Sequence, residues 1–395
     1  MSLIKILHVT PHLGGGVGRC LSSLIESVQP QVYREVLLLE EPIDKKFKKN
    51  IERKSKVKLI DWQSDISQSL SIFDIIQIEF WNHPAILKFL NFTKNINMRR
   101  VFWCHISGTG VIRFPTSFLQ SNEVIIFSSE QSNISYNLNR PVINSGFALN
   151  TSLSSIPLHS RRSYDFMFAG QLDFKKIHKQ SPKIFNEAGR VSKKNVYIFG
   201  DGADKGSISR SVIEPNVSCK GHTDNLEYNF RNTKFFLYPL AEDHYGTGEN
   251  VIKEAMSLGC IPVLLSNNVE VQITSQFSEV LCYSDLNMMT MQLKNLLDAN
   301  RSQYWQEVSS SLAIFAKHKY SVRKSCDLFL SLYQKVLLSN NSSFDMQKLF
   351  GSSSIEWYRS FRDHSKQKNQ DNEVELGINK GSREHFRKYF SEFTK

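Results

Sequence analysis

The 395-residue chain has little cysteine and never clusters it. Cys20, Cys104, Cys219, Cys260, Cys282 and Cys326 are scattered, with no C-x-x-C pair. That spacing does not suit zinc and reads as buried free thiols in a reducing compartment. Uncharged apolar runs are short, well under the roughly 18–20 residues of a membrane span. The opening MSLIKILHVTPHLGGG has too brief an apolar stretch for a signal peptide and no cleavage pattern, so a cytoplasmic location is expected. An Asp-x-Asp pair is also missing, so no metal and no cofactor is expected. Without a recognition helix, an RNP-like run or a zinc-finger pattern, nucleic acid is not expected as a partner. What the chain does have is 41% hydrophobic residues and a formal charge of +11. The first excludes wholesale disorder and the second favours anionic partners.

Short apolar runs alternate with helical patterns, the mark of βα units around a parallel sheet. Strand candidates are IKILHVT, REVLLLE, KVKLIDW, DIIQIEF, RRVFWCH, EVIIFSS and PVINSGF. A Ser-rich stretch, 150–163, reads as a linker. A second series follows: YDFMFAG, NVYIFGDG, NVSCKG, KFFLYPL, GCIPVLLS and EVLCYS. Two such series predict an α/β fold of two Rossmann-like domains with a cleft between them, 1–155 and 156–340. Residues 341–395 form a polar extension, partly disordered, with helical segments near Ile355–Phe361 and Ser382–Phe393.

Three constellations could carry chemistry. The loop Thr10-Pro11-His12-Leu13-Gly14-Gly15-Gly16-Val17-Gly18 lets a backbone approach a ligand and leads into a helix whose N-terminus favours an anion. Arg19 stands where a dinucleotide fingerprint needs its third glycine, and no Gly-Lys-Ser/Thr follows, so neither a NAD site nor a P-loop is expected. In PLAEDHYGTGENVIKEAMSLGCIPVLL, a helix from about Glu249 to Leu258 places Glu254 on one face with Asn250. A carboxylate there suits the paired hydroxyls of a ribose. Two strand ends, Glu79-Phe80-Trp81-Asn82-His83-Pro84 and Trp103-Cys104-His105, lie where crevices of open α/β sheets bind ligands. Trp81 could stack on a sugar ring or anchor a neighbouring segment.

The ordered set of landmarks resembles the GT-B glycosyltransferases, in particular the retaining family 4 (glycosyl transferases group 1 type) of bacterial surface-polysaccharide and lipopolysaccharide enzymes. Carrying that resemblance are Glu254-Ala255-Met256 with Gly259 and Pro262-Val263, then Phe168-Ala169-Gly170-Gln171-Leu172 with Lys176. Phe199-Gly200-Asp201-Gly202, Gly221-His222, Tyr238-Pro239 and the N-terminal glycine loop complete it. It covers about residues 1–335. Two features depart from the family pattern. Gln171 replaces the usual Arg beside Gly170, so Lys176 must supply the charge for a diphosphate. The usual first glutamate of a pair falls at Gly246, with Glu249 the nearest substitute.

The resemblance implies two domains facing across a cleft and transfer of a sugar from a nucleotide-sugar donor to a glycan or lipid-linked hydroxyl, with retention. Catalytic roles fall to His105, Lys176 and Glu249. Donor contacts fall to Gly15 and Gly16 of the first loop, and to Gly170, Gln171, Lys176, Gly202 and His222. Thr247, Gly248, Asn250, Val251 and Glu254 complete the donor set. The acceptor side takes Glu79, Trp81, Asn82 and His83. A non-catalytic nucleotide-sugar-binding scaffold and an inverting transferase of the same fold are the alternatives. The basic segment Lys45–Lys58, with eight Lys and Arg, reads either as a solvated helix face or as a contact for an anionic membrane surface, which would make the chain peripheral to the inner face.

Overall fold

The computed structural model describes residues 3–42, 45–108, 112–149, 152–223, 225–242, 244, 248–362 and 382–394. They group into two compact units, Met1–Ser145 with Val322–Lys395, and Gly146–Ser321.

The first unit holds β1 (Ile4–Thr10), β2 (Val32–Leu38), β3 (Val57–Leu59), β4 (Ile75–Phe80), β5 (Arg100–Cys104) and β6 (Val124–Phe127), ordered β3-β2-β1-β4-β5-β6. The second holds β7 (Tyr164–Ala169), β8 (Val196–Phe199), β9 (Val217–Gly221), β10 (Thr233–Tyr238), β11 (Ile261–Leu265) and β12 (Cys282–Tyr283), ordered β12-β11-β10-β7-β8-β9. Neighbouring strands run parallel in both sheets. Each is therefore an α/β doubly wound sheet whose order reverses between two central strands, β1 and β4 in one and β7 and β10 in the other. Such a reversal opens a crevice at the carboxyl ends of those strands. β4 and β5 are buried along their whole length, as strands covered by helices on both faces must be.

Two strand expectations change. Pro141–Phe147 makes only an isolated bridge, with Phe127 N–H donating to Pro141 O and Ile143 N–H to Phe127 O, both at 2.9 Å. Proline brings no N–H to extend the ladder. The run Glu279–Ser284 starts as a helical turn, Ser278–Leu281, and only Cys282–Tyr283 joins the sheet.

The last third of the first unit comes from the far end of the sequence. Helix Val322–Val336 turns Cys326, Phe329 and Tyr333 inward on one stripe, and Phe329 meets Trp103 edge-on at 4.8 Å. Although residues 341–395 are polar in composition, their aromatics dock. Phe350 lies 5.4 Å from Phe118 and 5.6 Å from Phe361, ring centre to ring centre, and Phe361, Phe386 and Phe393 are buried in the same core as Phe80 and Phe102. Helix Ser354–Ser360 begins one residue before the expected stretch Ile355–Phe361 and Arg383–Arg387 falls within Ser382–Phe393; residues 363–381, part of the extension expected to be partly disordered, lie outside the described residues. Among the described residues no helix is long and apolar enough to cross a membrane.

Candidate active site

Polar residues interrupt the apolar strands of the first sheet at its central pair. His8 on β1 is in register with Gln77 on β4, and Glu79 follows two residues on, facing the same side. All three are fully buried. Glu79 Oε1 lies 2.8 Å from His8 Nδ1 and accepts from Gln77 Nε2 at 2.9 Å, while Oε2 lies 2.6 Å from His105 Nε2. Arg34 on β2 places its NH1 3.0 Å from His8 Nε2. A guanidinium only donates, so His8 Nε2 accepts and His8 Nδ1 donates to Glu79. Arg34 also donates to Tyr333 Oη, and that hydroxyl donates to Gln77 Oε1, which orients the amide towards Glu79. Burial works to raise the Glu79 pKa, but bonds from His105 and His8 outweigh it and hold the carboxyl down at about 2. Burial pushes His8 below its usual value. The result is a neutral His8 and an ionised Glu79 whose second oxygen fixes the His105 ring.

Beyond the strand ends the polar row continues. The Trp81 indole sits edge-on to His105 at 6.3 Å, to His12 at 5.9 Å and to His83 at 5.8 Å. His83 caps helix Pro84–Phe92, its Nδ1 accepting from Ala85 N–H at 3.2 Å, and His12 Nδ1 accepts from Gly14 N–H at 3.0 Å. Their Nε2 atoms lie 3.5 Å and 3.9 Å from Glu40 Oε1. This His12, Glu40 and His83 grouping has the spacing of a metal triad, but the tautomers oppose it. With Nδ1 accepting, each ring carries its proton on Nε2, facing the carboxylate, whereas metal ligation there would need the proton on Nδ1, against a backbone N–H. The loop glycines Gly15 and Gly16 begin helix Gly15–Glu26, and among the described residues no heavy atom beyond their chain neighbours and own helix backbone comes within 4 Å of where a β-carbon would project from either.

In the second unit the crevice between β7 and β10 is built on backbone contact. The turn after β7 bonds to the turn after β8: Gly170 N–H donates to Phe199 O at 3.1 Å and Leu172 N–H to Asp201 O at 2.9 Å. A β-carbon on Gly200, whose φ is +140°, would lie 1.8 Å from Gly170 O, and one on Gly202 2.4 Å from Leu172 O. Close approach therefore requires glycine at both. The turn delivers Lys176, whose Nζ lies 3.3 Å from Glu249 Oε1. Tyr238, the last residue of β10, donates to Glu249 Oε2 at 2.7 Å. His244 Nδ1 lies 3.9 Å from Glu249 Oε1 and its Nε2 2.9 Å from Glu270 Oε1. Burial acts to raise the Glu249 pKa, but Lys176, His244 and Tyr238 prevail and keep it below the carboxylate range. Burial pushes the Glu270 carboxyl up. Glu249 adopts φ +27° where it caps helix Asn250–Ser257, a conformation disfavoured for a side-chain-bearing residue.

The residues read from sequence therefore fall into two groups. Lys176 and Glu249 touch; Asn250 packs on Gly146; Glu254 is buried within the wholly buried run Ile252–Ser257 of its helix; Gly248 is buried and Val251 half-buried. Gln171 and His222 are exposed, and Gly202 is part of the backbone contact. Thr247 lies outside the described residues. Glu79 and His105 touch, with Trp81 beside them, and Asn82 and His83 follow at the same strand end. The sequence reading missed His8, Arg34, Gln77, Tyr333, Tyr238, His244, Glu270, His12 and Glu40 as members. For His8 and Gln77 a signal existed: a polar residue inside an otherwise apolar parallel strand must be satisfied by something. In Lys45–Lys58 the helix is Lys46–Glu52, Ile51 is buried, and Lys48, Lys56 and Lys58 lie within 4 Å of Glu41 or Glu35.

No family model and no curated protein matches the sequence. Solved structures do match. HepE (Alr3699) of Anabaena, crystallised with UDP and glucose, is 15% identical with a TM-score of 0.63, covering 84% of this chain and 100% of its own. A glycosyltransferase of Rickettsia africae ESF-5 is 12% identical with a TM-score of 0.64, covering 85% and 99%. AviGT4, a glycosyltransferase of avilamycin A biosynthesis, is 11% identical with a TM-score of 0.52, covering 86% and 100%. At these identities the likeness speaks to architecture, and the two six-stranded parallel sheets have the α/β fold of GT-B glycosyltransferases.

Proposed function

We propose that the chain is a glycosyltransferase, taking a sugar from a nucleotide-sugar donor and passing it to a hydroxyl of a glycan or lipid-linked acceptor in surface-polysaccharide or lipopolysaccharide synthesis. The observation that carries the reading is the Lys176–Glu249 pair at the crevice between β7 and β10, where a cation and a buried carboxylate meet. A fold of this kind holds UDP-glucose in a HepE structure, which supports the same donor class here. In the proposed site the donor's nucleotide lies on the second unit, with its ribose on Glu254. Lys176, Gln171 and the amide of Gly248 receive the diphosphate, and Gly170, Gly202, His222, Asn250 and Val251 shape its surroundings. Glu249 takes hydroxyls of the transferred sugar, and Glu79, Trp81, Asn82 and His83 meet the acceptor.

As the bond between the anomeric carbon and the phosphate oxygen breaks, negative charge collects on the phosphate. Fixed cationic and amide donors stabilise it without a metal or other cofactor. The acceptor oxygen bonds the anomeric carbon, and its proton passes to the departing phosphate if configuration is retained. A second reading, inversion, draws on the Glu79–His105 pair: a carboxylate fixing an imidazole is the arrangement of a general base, and His105 would take that proton. The protein would act in the cytoplasm, with the basic helix Lys46–Glu52 a contact for the inner membrane face.

Purified protein incubated with UDP-, GDP- and ADP-sugars tests the proposal, read by thermal shift and by donor hydrolysis. Binding followed by slow release of free sugar is the expected result. Binding without hydrolysis or transfer would leave a scaffold, and no binding of any donor would end the reading. The anomeric configuration of the product, read by NMR, decides between retention and inversion.

A further inference from the structure

The cluster around Glu40 has no part in the bond-breaking step proposed above. Glu40 is placed just past β2 by its N–H bond to Pro11 O at 2.9 Å. The Tyr389 hydroxyl donates to its Oε2, and the His385 ring meets His83 at a right angle with centroids 4.4 Å apart. Tyr389 and His385 come from the segment after Ser382, whose hydroxyl caps His385 N–H at 3.1 Å and whose Phe386 and Phe393 are buried in the core of the first unit. This part of the tail is thus a fixed wall.

Beside that wall, polar atoms go unused. Trp81 Nε1 and both amide atoms of Asn82 are buried and make no hydrogen bond among the described residues. Each such atom costs about 1–3 kcal/mol if nothing meets it, a cost that an occupant at the strand end would relieve. Its complement is mixed: the indole and amide N–H groups donate, while the amide oxygen and the Glu40 carboxylate accept. Hydroxyls, which do both, answer such a set. Charge narrows the class further. Burial would raise the Glu40 pKa, but His83 and Tyr389 hold it at about 2, and an ionised carboxylate repels a phosphate.

We propose that residues 382–394 wall a carbohydrate subsite, in which Glu40, Asn82, Trp81 and Tyr389 bind hydroxyls of a neutral sugar unit belonging to the acceptor. The proposal rests on the reading of the first unit as the acceptor side. It adds that the tail completes that side.

The test is saturation-transfer NMR on the full chain with methyl glycosides of glucose, galactose, mannose and N-acetylglucosamine as probes, without donor, and separately with UDP-glucose. At least one glycoside should give a signal that falls about tenfold in Glu40→Gln and in Asn82→Ala, the size of one lost hydrogen bond to a charged or buried group. Asn82→Ala breaks no side-chain hydrogen bond among the described residues, so the small cavity it leaves should lower its melting temperature by no more than a few degrees. That separates loss of sugar binding from loss of fold. Absence of signal from every glycoside, signals unchanged in both variants, or signals abolished by EDTA (a metal site instead) would overturn the subsite. Because glycosides are read without donor, failure of every UDP-, GDP- and ADP-sugar to bind would count against the donor reading alone.

Discussion

Glu79 Oε2 and His105 Nε2 stand 2.6 Å apart, with the carboxylate sealed from solvent. Everything else that touches Glu79 serves to keep it ionised and still, so its exchange for a neutral isostere is informative. Glu79→Gln can donate as well as accept, which releases the His105 ring from one tautomer. Loss of the charge-assisted bonds should destabilise the protein by about 1.5–3 kcal/mol each, read from denaturant midpoints. If His105 acts as the base, the transfer rate should also fall by about 10²-fold or more. A rate that stays at the parent level would remove the dyad from the chemistry.

Lys176→Ala leaves Glu249 buried beside Tyr238 and His244 without its nearest cation. Breaking a buried pair from one side costs about 3–5 kcal/mol when nothing relaxes; here the lysine is partly exposed, so the lower end or less is expected. If the proposed donor reading holds, turnover of whichever nucleotide-sugar the donor screen identifies should drop by about 10²–10³-fold. Pairing the change with Glu249→Gln should restore much of the stability and none of the turnover, which a double-mutant cycle resolves.

Acid should loosen the first unit in two steps. His385 is held at about 3 by burial, next by His83, against an ordinary 6.5. Between those values the unfolded chain binds more protons, so stability falls as pH drops from about 6.5 towards 3. Glu79 and Glu40 sit at about 2 against 4.5, and their contribution, complete above 4.5, is lost as pH falls towards 2. Urea midpoints across this range should decline from about pH 6.5 downward. In His385→Phe the upper part of the decline should shrink but persist, because His8 is also buried below its usual value.

Gly200→Ala should be poorly tolerated. The new β-carbon would press on Gly170 O at a φ of +140°, a position whose strain alone costs about 1–3 kcal/mol. Circular dichroism melts would register the loss. An unaltered melt would mean that the two turns are not locked together.

Phe361→Ala tests the tail. The ring is fully buried, stacked on Phe350 and 6.0 Å from Phe80, so removal should cost about 3–5 kcal/mol. A surface-attached tail would lose almost nothing.

Much of this architecture could be read beforehand. Apolar runs such as IKILHVT and RVFWC mark buried parallel strands by composition, and Gly200 and Gly202 mark turns that only glycine can make. Lys176 and Glu249 were visible through the family resemblance, as the lysine six residues past Gly170 and as the nearest substitute for the usual first glutamate. Other parts depend on contacts that local pattern cannot encode. Tyr333 reaches Gln77 across 256 residues, and nothing in its own helix distinguishes it from any tyrosine on an apolar stripe. Tyr389 and Glu40, 349 apart, are similar. In the tail, the helical spacing of Phe386, Phe390 and Phe393 could be read, but the surface that buries them is formed by the other end of the chain.

That arrangement has a consequence for biosynthesis. Residues 146–321 form a contiguous unit and can collapse as soon as they leave the ribosome. The stretch made before them must wait, its apolar flank uncovered, until Phe350, Phe361, Phe386 and Phe393 have been translated. The middle of the polypeptide is therefore ready before its beginning, and in that interval the nascent amino-terminal sheet is the part most in need of a chaperone.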